Sequence, residues 1–302
     1  MLDILIHCLL IICMPPLLFG VINRTKAVCA GRSGAPLLQP YYDLFRLLRK
    51  GSIFSRTTTW VFRAGPLINM AATLTAAMLI PLGNHIPPLS FNGDMILFVY
   101  LLALGRFFTT AAALDTGSSF EGMGAAREVT FSSLSEPVLF VALLVLSRLS
   151  GALSLNGILT HNSTTLWITS GATLILLVAS LFFVLLVENC RIPFDDPNTH
   201  LELTMIHEVM VLDHSGPAFG LILYTASLKL FIFGAFFLQV LIPFRAGNAL
   251  LDWLFFAISM VLLAIGIGVV ESSMARYRLV RIPQMLLAAC VLAAFAMMLV
   301  LR

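Results

Sequence analysis

Apolar stretches of about twenty residues recur along this chain, broken by short polar turns. They place spans at roughly 2–22, 64–83, 94–114, 122–149, 166–188, 217–243, 250–271 and 281–301. A bilayer core of ~30 Å needs about 20 apolar residues per helix, so the pattern reads as about eight transmembrane helices. The fourth stretch is long enough to require tilt. Turn signals separate the spans: Gly83-Asn84, Pro87-Pro88, Gly151, Asn156-Gly157, Gly216-Pro217 and Gly247-Asn248. The expected fold is all-α and polytopic, one integral membrane domain over 1–302. Residues 37–50 carry a different period. Leu37, Tyr41, Leu44, Phe45 and Leu48 share one helical face, and Asp43, Arg46 and Lys50 another. This predicts either an amphipathic helix in the membrane interface or a surface helix that links two spans.

Composition sharpens this picture. Of the 302 residues, 59% are hydrophobic and 11% charged, against about 25% charge in soluble domains. The first stretch begins with Asp3 and continues through Pro15-Pro16, so it reads as a span and not a cleaved signal. The basic residues alternate by loop. Asn23 to Arg63 holds eight, 272–281 holds three, and 84–93 and 151–165 hold none. The positive-inside rule then puts the basic loops in the cytoplasm and both termini on the opposite side of the membrane. The five cysteines form no C-x-x-C pair, and they read as small buried hydrophobes. No nucleophile elbow, P-loop or glycine-rich dinucleotide turn is present, and the basic runs are too short and too close to the spans for nucleic-acid binding. Bond chemistry by this chain alone is not expected.

The charges inside the apolar stretches carry the functional signal. Arg106, Glu136 and Lys229 fall near span centres, while Asp115, Arg127, Glu128, Glu188 and Glu271 fall at or near span ends. A charge at the bilayer centre costs at least ~2.5–3.5 kcal/mol, and such residues normally face a bundle interior or wet cavity. Asp115, Glu121, Glu128 and Glu136 gather in one boundary region with several small turn residues. Clustering and burial suit carboxylates to carry protons. A capped helix start, with Arg127 on lipid phosphate or on Asp115, explains part of the same pattern. Glu136 precedes Pro137, which predicts a local break beside the acid, with Arg106 and Lys229 as its partners. The 188–214 region adds six acids to an otherwise basic side. There His200, His207 and His214 repeat every seven residues, which a continuous helix would align. His207-Glu208 lacks the second histidine of the zinc-protease pattern, so a protonatable polar stripe or a subunit-docking surface is preferred to a metal site.

Taken together, these residues resemble the family formed by the quinone-side membrane component of respiratory complex I and its hydrogenase relatives. Within that family the chain resembles the membrane subunits of formate hydrogenlyase and hydrogenase-4 complexes, of the component C type. Four motifs carry the resemblance: Leu114-Asp115 through Arg127-Glu128 with Glu136-Pro137; Glu188 to Arg191-Ile-Pro-Phe-Asp195; Ser227-Leu228-Lys229; and Glu271 through Arg276 and Arg278 to Arg281-Ile-Pro283. The resemblance implies eight helices docked beneath soluble subunits. Those subunits carry iron–sulfur clusters and, in hydrogenases, a nickel–iron centre. It also implies an acidic funnel leading toward antiporter-like membrane neighbours, with matching positions at Glu128, Glu136, Glu188, Asp195, Glu202 and Asp213. Lys229 matches the hydrogenase branch. Two departures stand out. The family's Arg-Gly-Pro-Gly element appears as Arg32-Ser-Gly34-Ala-Pro36 followed by Gln39, and Asn198 and His200 stand where acids are usual. His200 or His207 would then share the proton load. The resemblance also makes Arg32, Gln39, Tyr41, Asp43 and Arg46 candidate contacts for a quinone or for the redox arm. The resulting expectation is an anchor and coupling subunit of an energy-converting hydrogenase-like complex that moves protons or sodium ions. The rival readings are a quinone-pocket subunit of a true complex I, a stand-alone ion transporter and a passive anchor.

Overall fold

In the computed structural model the described residues are 2–83, 85–160, 164–195, 206–243 and 247–301. Ten α-helices lie among them: α1 (Leu2–Cys29), α2 (Gln39–Leu48), α3 (Trp60–Ala77), α4 (Asp94–Asp115), α5 (Ser119–Ser150), α6 (Leu155–Thr160), α7 (Thr164–Glu188), α8 (Gly216–Leu241), α9 (Ala249–Ser273) and α10 (Ile282–Leu301). Seven of them, α1, α4, α5 and α7 to α10, are long and apolar enough to cross a membrane. The chain is an all-helical, multi-pass membrane protein. The second expected span is α3, which starts earlier than its hydropathy suggests and stops at Ala77. At 18 residues it reaches about 27 Å. Pro81 lies just beyond its end, where a missing N–H and the restricted preceding residue discourage further helix. The apolar run then continues as buried non-helical chain through Leu79, Ile80 and Leu82. This explains why hydropathy overestimates the C-terminal end of this helix.

α8 is the central helix and touches α1, α2, α3, α6, α7 and α9. Phe231, Phe236 and Leu228 on it are almost fully enclosed. α4 packs on α3 and α5, α10 on α5 and α7, and α9 on α1. Gly105 sets the approach of α4 to α3, since a Cβ there would overlap Asn69 Oδ1. The polar ends separate into two groups. At one, Asp3 meets His85 at 3.5 Å and Trp253 Nε1 at 3.5 Å. At the other, Ser215 bonds both the N–H and the carbonyl of Ile53, and the Tyr277 N–H donates to Pro193 O. The Lys- and Arg-rich loops lie at this second end.

α5 runs unbroken through Pro137 for 32 residues, whereas α7 contains a non-helical residue at Ser170. α2 realises the amphipathic period. Tyr42, Phe45 and Leu48 are exposed, while Leu47 and Leu48 also border Gly220 of α8. Short-loop expectations miss one element, α6, between α5 and α7. Its Leu155 N–H donates to the buried Asp94 carboxylate at 2.6 Å, tying α6 to the start of α4.

Candidate functional site

Four helices bring their charges to one place. Arg106 projects from α4, Glu128 and Glu136 from α5, Glu188 from the end of α7 and Lys229 from α8. The Arg106 fork donates through Nη1 to Glu136 Oε1 and through Nη2 to Glu188 Oε2 at 2.7 Å. Its Nε lies 3.4 Å from Glu128 Oε1, an ion pair without hydrogen-bond geometry. Lys229 Nζ sits 2.8 Å from Glu188 Oε2, and Ser135 Oγ donates to Glu188 Oε1 at 2.5 Å. The Glu188 and Glu128 side chains are 5% and 9% exposed and that of Glu136 is 35% exposed, so the network runs from the enclosed interior toward the rim of the bundle. Arginine suits this place because its planar fork engages several carboxylates at once and stays charged. A buried cluster of this kind is tolerated only when each charge is paired.

The network continues into the loop after α7. His207 Nε2 lies 3.1 Å from Glu128 Oε2. Its Nδ1 is 3.9 Å from Asp195 Oδ2, and Arg276 Nη2 donates to Asp195 Oδ1 at 3.0 Å. The 206–214 segment is seated on α5 by two devices. Gly124 has no Cβ to strike Ile206 O, which would lie 2.9 Å away, and the Asp213 N–H donates to the buried Glu121 carboxylate at 3.0 Å. Burial opposes the charged form of His207. The adjoining Cys190 sulfur and the Glu128 and Asp195 carboxylates overcome it and raise the imidazole pKa well above its usual value. Burial pushes the Cys190 thiol up as well.

A cavity of about 310 Å³ adjoins these groups. Arg106, Glu128, Glu188, His207 and Lys229 line it, together with apolar residues that include Phe19, Leu102, Phe219, Ile222 and Leu223. Its size is far above the ~10–15 Å³ that one water needs. The three mid-span charges expected to meet, Arg106, Glu136 and Lys229, do share one interior, joined through Glu188.

Other candidates fall elsewhere. Glu271 is fully enclosed and sits between Lys26 Nζ at 2.9 Å and Arg191 Nη1 at 3.4 Å, in a second cluster on α1, α9 and the loop after α7. Asp115 accepts from the Thr59 and Phe62 N–H groups at 2.6 and 3.2 Å and from Thr59 Oγ1 at 2.8 Å. From the end of α4 it therefore supports the start of α3, whose N-cap is Thr59, and not the start of its own following helix. Arg127 donates to the Met123 sulfur at 3.0 Å on its own helix. Asp213 is exposed and contributes its backbone. Glu202 and His200 lie outside the described residues. On α2, Gln39 donates to Asp43 at 3.1 Å, Asp43 pairs with Arg46 at 3.5 Å, and Tyr41 donates to Cys13 O on α1; Arg32 is exposed. None of these five residues lines the cavity. Ser135, Lys26 and Arg276 were not among the expected site residues. Arg276 stood inside one of the four motifs, while Ser135 carries no sequence signal beyond its place beside Glu136. Among the described residues, no group of three or more His, Cys, Asp or Glu side chains is placed to hold a metal ion.

A multi-pass helical protein with a continuous ion network beside an internal cavity is the class that the fold and site define. The chain belongs to the NADH dehydrogenase family, whose model matches residues 2–302. It is 32% identical to formate hydrogenlyase subunit 4 of Escherichia coli (strain K12) over 282 residues, covering 91% of this chain and 90% of that protein. It is 31% identical to hydrogenase-4 component C of the same organism over 278 residues, covering 92% and 87%. Its fold matches a chain of the membrane-bound sulfane sulfur reductase, an archaeal respiratory membrane complex, with a TM-score of 0.82 over 99% of each chain at 21% identity.

Proposed function

We propose that this chain is the membrane coupling subunit of an energy-converting, hydrogenase-like complex related to complex I. Its partners are soluble iron–sulfur and hydrogenase-like large and small subunits on the basic side and antiporter-like subunits within the membrane. The iron–sulfur clusters and the nickel–iron centre belong to those partners. The basic loops face the cytoplasm, both termini face the opposite side, and the membrane is the bacterial cytoplasmic one. One observation carries this reading: Arg106 is shared by Glu128, Glu136 and Glu188, with Lys229 on Glu188, beside a cavity. A change in charge at the loop reaches the half-exposed Glu136 through an unbroken series of ion pairs. The names of the two Escherichia coli relatives support the hydrogenase branch.

The test replaces Glu136 or Glu188 by Gln in the assembled complex, with electron transfer and ion translocation measured together. Electron transfer should persist while ion movement per electron falls toward background. Unchanged ion movement in both variants would leave a passive anchor.

The apolar residues among the cavity lining, Phe19, Leu102, Phe219, Ile222 and Leu223, favour a second reading, a quinone pocket. Photoreactive quinone labelling of these residues would support it. Labelling absent from an active complex would remove it.

A further inference from the structure

Two carboxylate groups at different depths are joined by one side chain. Glu128 belongs to the Arg106 network inside the bundle, and Asp195 belongs to the loop and pairs with Arg276. His207 stands between them, at 3.1 Å from Glu128 and 3.9 Å from Asp195. The first distance is a hydrogen bond and the second is too long for one. The ring therefore holds Glu128 on the membrane side, while on the loop side its Nδ1 stops short of Asp195 and the Cys190 sulfur lies beside it.

Charge counting gives the second observation. The groups joined by these pairs include four carboxylates (Glu128, Glu136, Glu188 and Asp195) and three permanent cations (Arg106, Lys229 and Arg276). A proton on His207 makes the assembly neutral. Buried ionic assemblies are costly when unbalanced, so among these described groups the His207 ring is the favoured place for a proton.

We propose that His207 is the switch of the relay: its imidazole hands a proton between Asp195 and Glu128 by turning over, so that Nε2 faces Glu128 in one position and Asp195 in the other. This rests on the relay reading above and names the residue that gates it. In one direction, the Nε2–H proton passes to the Glu128 carboxylate, giving a neutral acid and a neutral imidazole. The ring keeps its Nδ1–H and turns over, and Asp195, once protonated from the loop side, gives its proton to the bare Nε2 and returns to carboxylate; turning back restores the starting position. No group is consumed, and the reverse order runs equally. The groups facing the ring are Glu128 on α5 and Cys190 and Asp195 in the loop, with Arg106 and Lys229 behind Glu128 and Arg276 behind Asp195. Its raised pKa keeps the proton bound at rest. The side chain is 30% exposed and lines the cavity, so the ring has room to turn.

The test uses the whole complex in sealed membrane vesicles with His207→Gln, His207→Lys and His207→Ala. All three should assemble and transfer electrons. Ion movement should fall at least about a hundredfold in each, the lower end of what a positioned acid–base group contributes. Lysine restores the charge but not a readily exchanged proton, so a purely balancing role would be rescued by His207→Lys and a switch would not. Imidazole added to His207→Ala should restore ion movement. Full coupling in the Lys variant, or in the Gln variant at every pH, would overturn the switch. Glu188→Gln separates the two levels. If it uncouples while the His207 variants do not, the relay stands and the switch falls. If neither uncouples, the relay itself falls.

Discussion

The two buried ion clusters of this protein are built on opposite charge balances. Around Arg106 three carboxylates share an arginine and a lysine, beside a cavity. Around Glu271 one enclosed carboxylate is held by two cations, Lys26 and Arg191, and Arg191 is further fixed by its guanidinium lying 4.3 Å from the centre of the Phe19 ring. An acid-rich cluster has spare sites for a proton, whereas an acid clamped by two cations has none to accept. Both look the same among the intramembrane charges of the sequence, yet the first suits a relay and the second a clamp that fastens α9 to α1 and to the loop after α7. Intramembrane position alone thus signals a buried partner, and the ratio of acids to bases is what tells the two clusters apart.

The comparison is broken most directly at Glu271. Glu271→Ala leaves Lys26 and Arg191 without their shared acid, and losing one partner of a buried pair costs about 3–5 kcal/mol. Thermal unfolding of the purified complex should move down sharply, while ion movement per electron in the surviving complex stays at the native value. A variant that unfolds normally but is uncoupled would place Glu271 in the relay and erase the distinction.

A smaller effect sharpens the other side. Ser135→Ala removes the hydroxyl that donates to Glu188 Oε1 at 2.5 Å. Hydrogen bonds to charged groups contribute about 1.5–3 kcal/mol. Denaturant unfolding should register that loss, and ion movement per electron should fall with it because Glu188 loses its anchor. Destabilisation with full coupling would mean that Arg106 and Lys229 alone hold Glu188 in place.

Hydropathy made the depth of each charge legible, but not its direction around the helix axis. Arg106, Glu136 and Lys229 read as mid-span from spacing, and the structure joins them. Glu188 read as a span end, yet it is the hub that touches Arg106, Lys229 and Ser135, because α7 ends in the interior of the bundle and not at its rim. Asp115 and Glu271 read as members of the same set as Glu128. Packing turns Asp115 onto the open N–H groups of α3 and Glu271 onto α1. These choices depend on which helix stands beside which, and that is set by long-range packing around α8. The eight apolar stretches were legible for the opposite reason: each depends only on its own local sequence. The end of α3 was the exception, since the buried chain after Ala77 is as apolar as a helix would be.

The same lesson separates two histidines. His207 and His214 lie seven residues apart, and a continuous helix would align them, but the described segment around them is a short 3₁₀ turn at Val209–Val211 flanked by irregular chain. His207 lies between carboxylates. His214 stacks on Phe62 with ring centres 3.9 Å apart, and burial alone lowers its pKa to about 4. Their effects on stability therefore run in opposite directions. His214 binds its proton less readily folded than unfolded, so its contribution is complete above pH ~6.5 and is lost as pH falls toward about 4. His207 binds its proton more readily when folded, so its contribution is complete below pH ~6.5 and is lost as pH rises through its elevated pKa. Hydrogen exchange of residues 206–215 in the solubilised complex should show weaker protection on both sides of neutrality. His214→Gln should remove the acid limb and His207→Gln the alkaline one. A single variant that flattened both limbs would show that the segment opens as one unit with a shared cause, and the contrast between the two rings would fail.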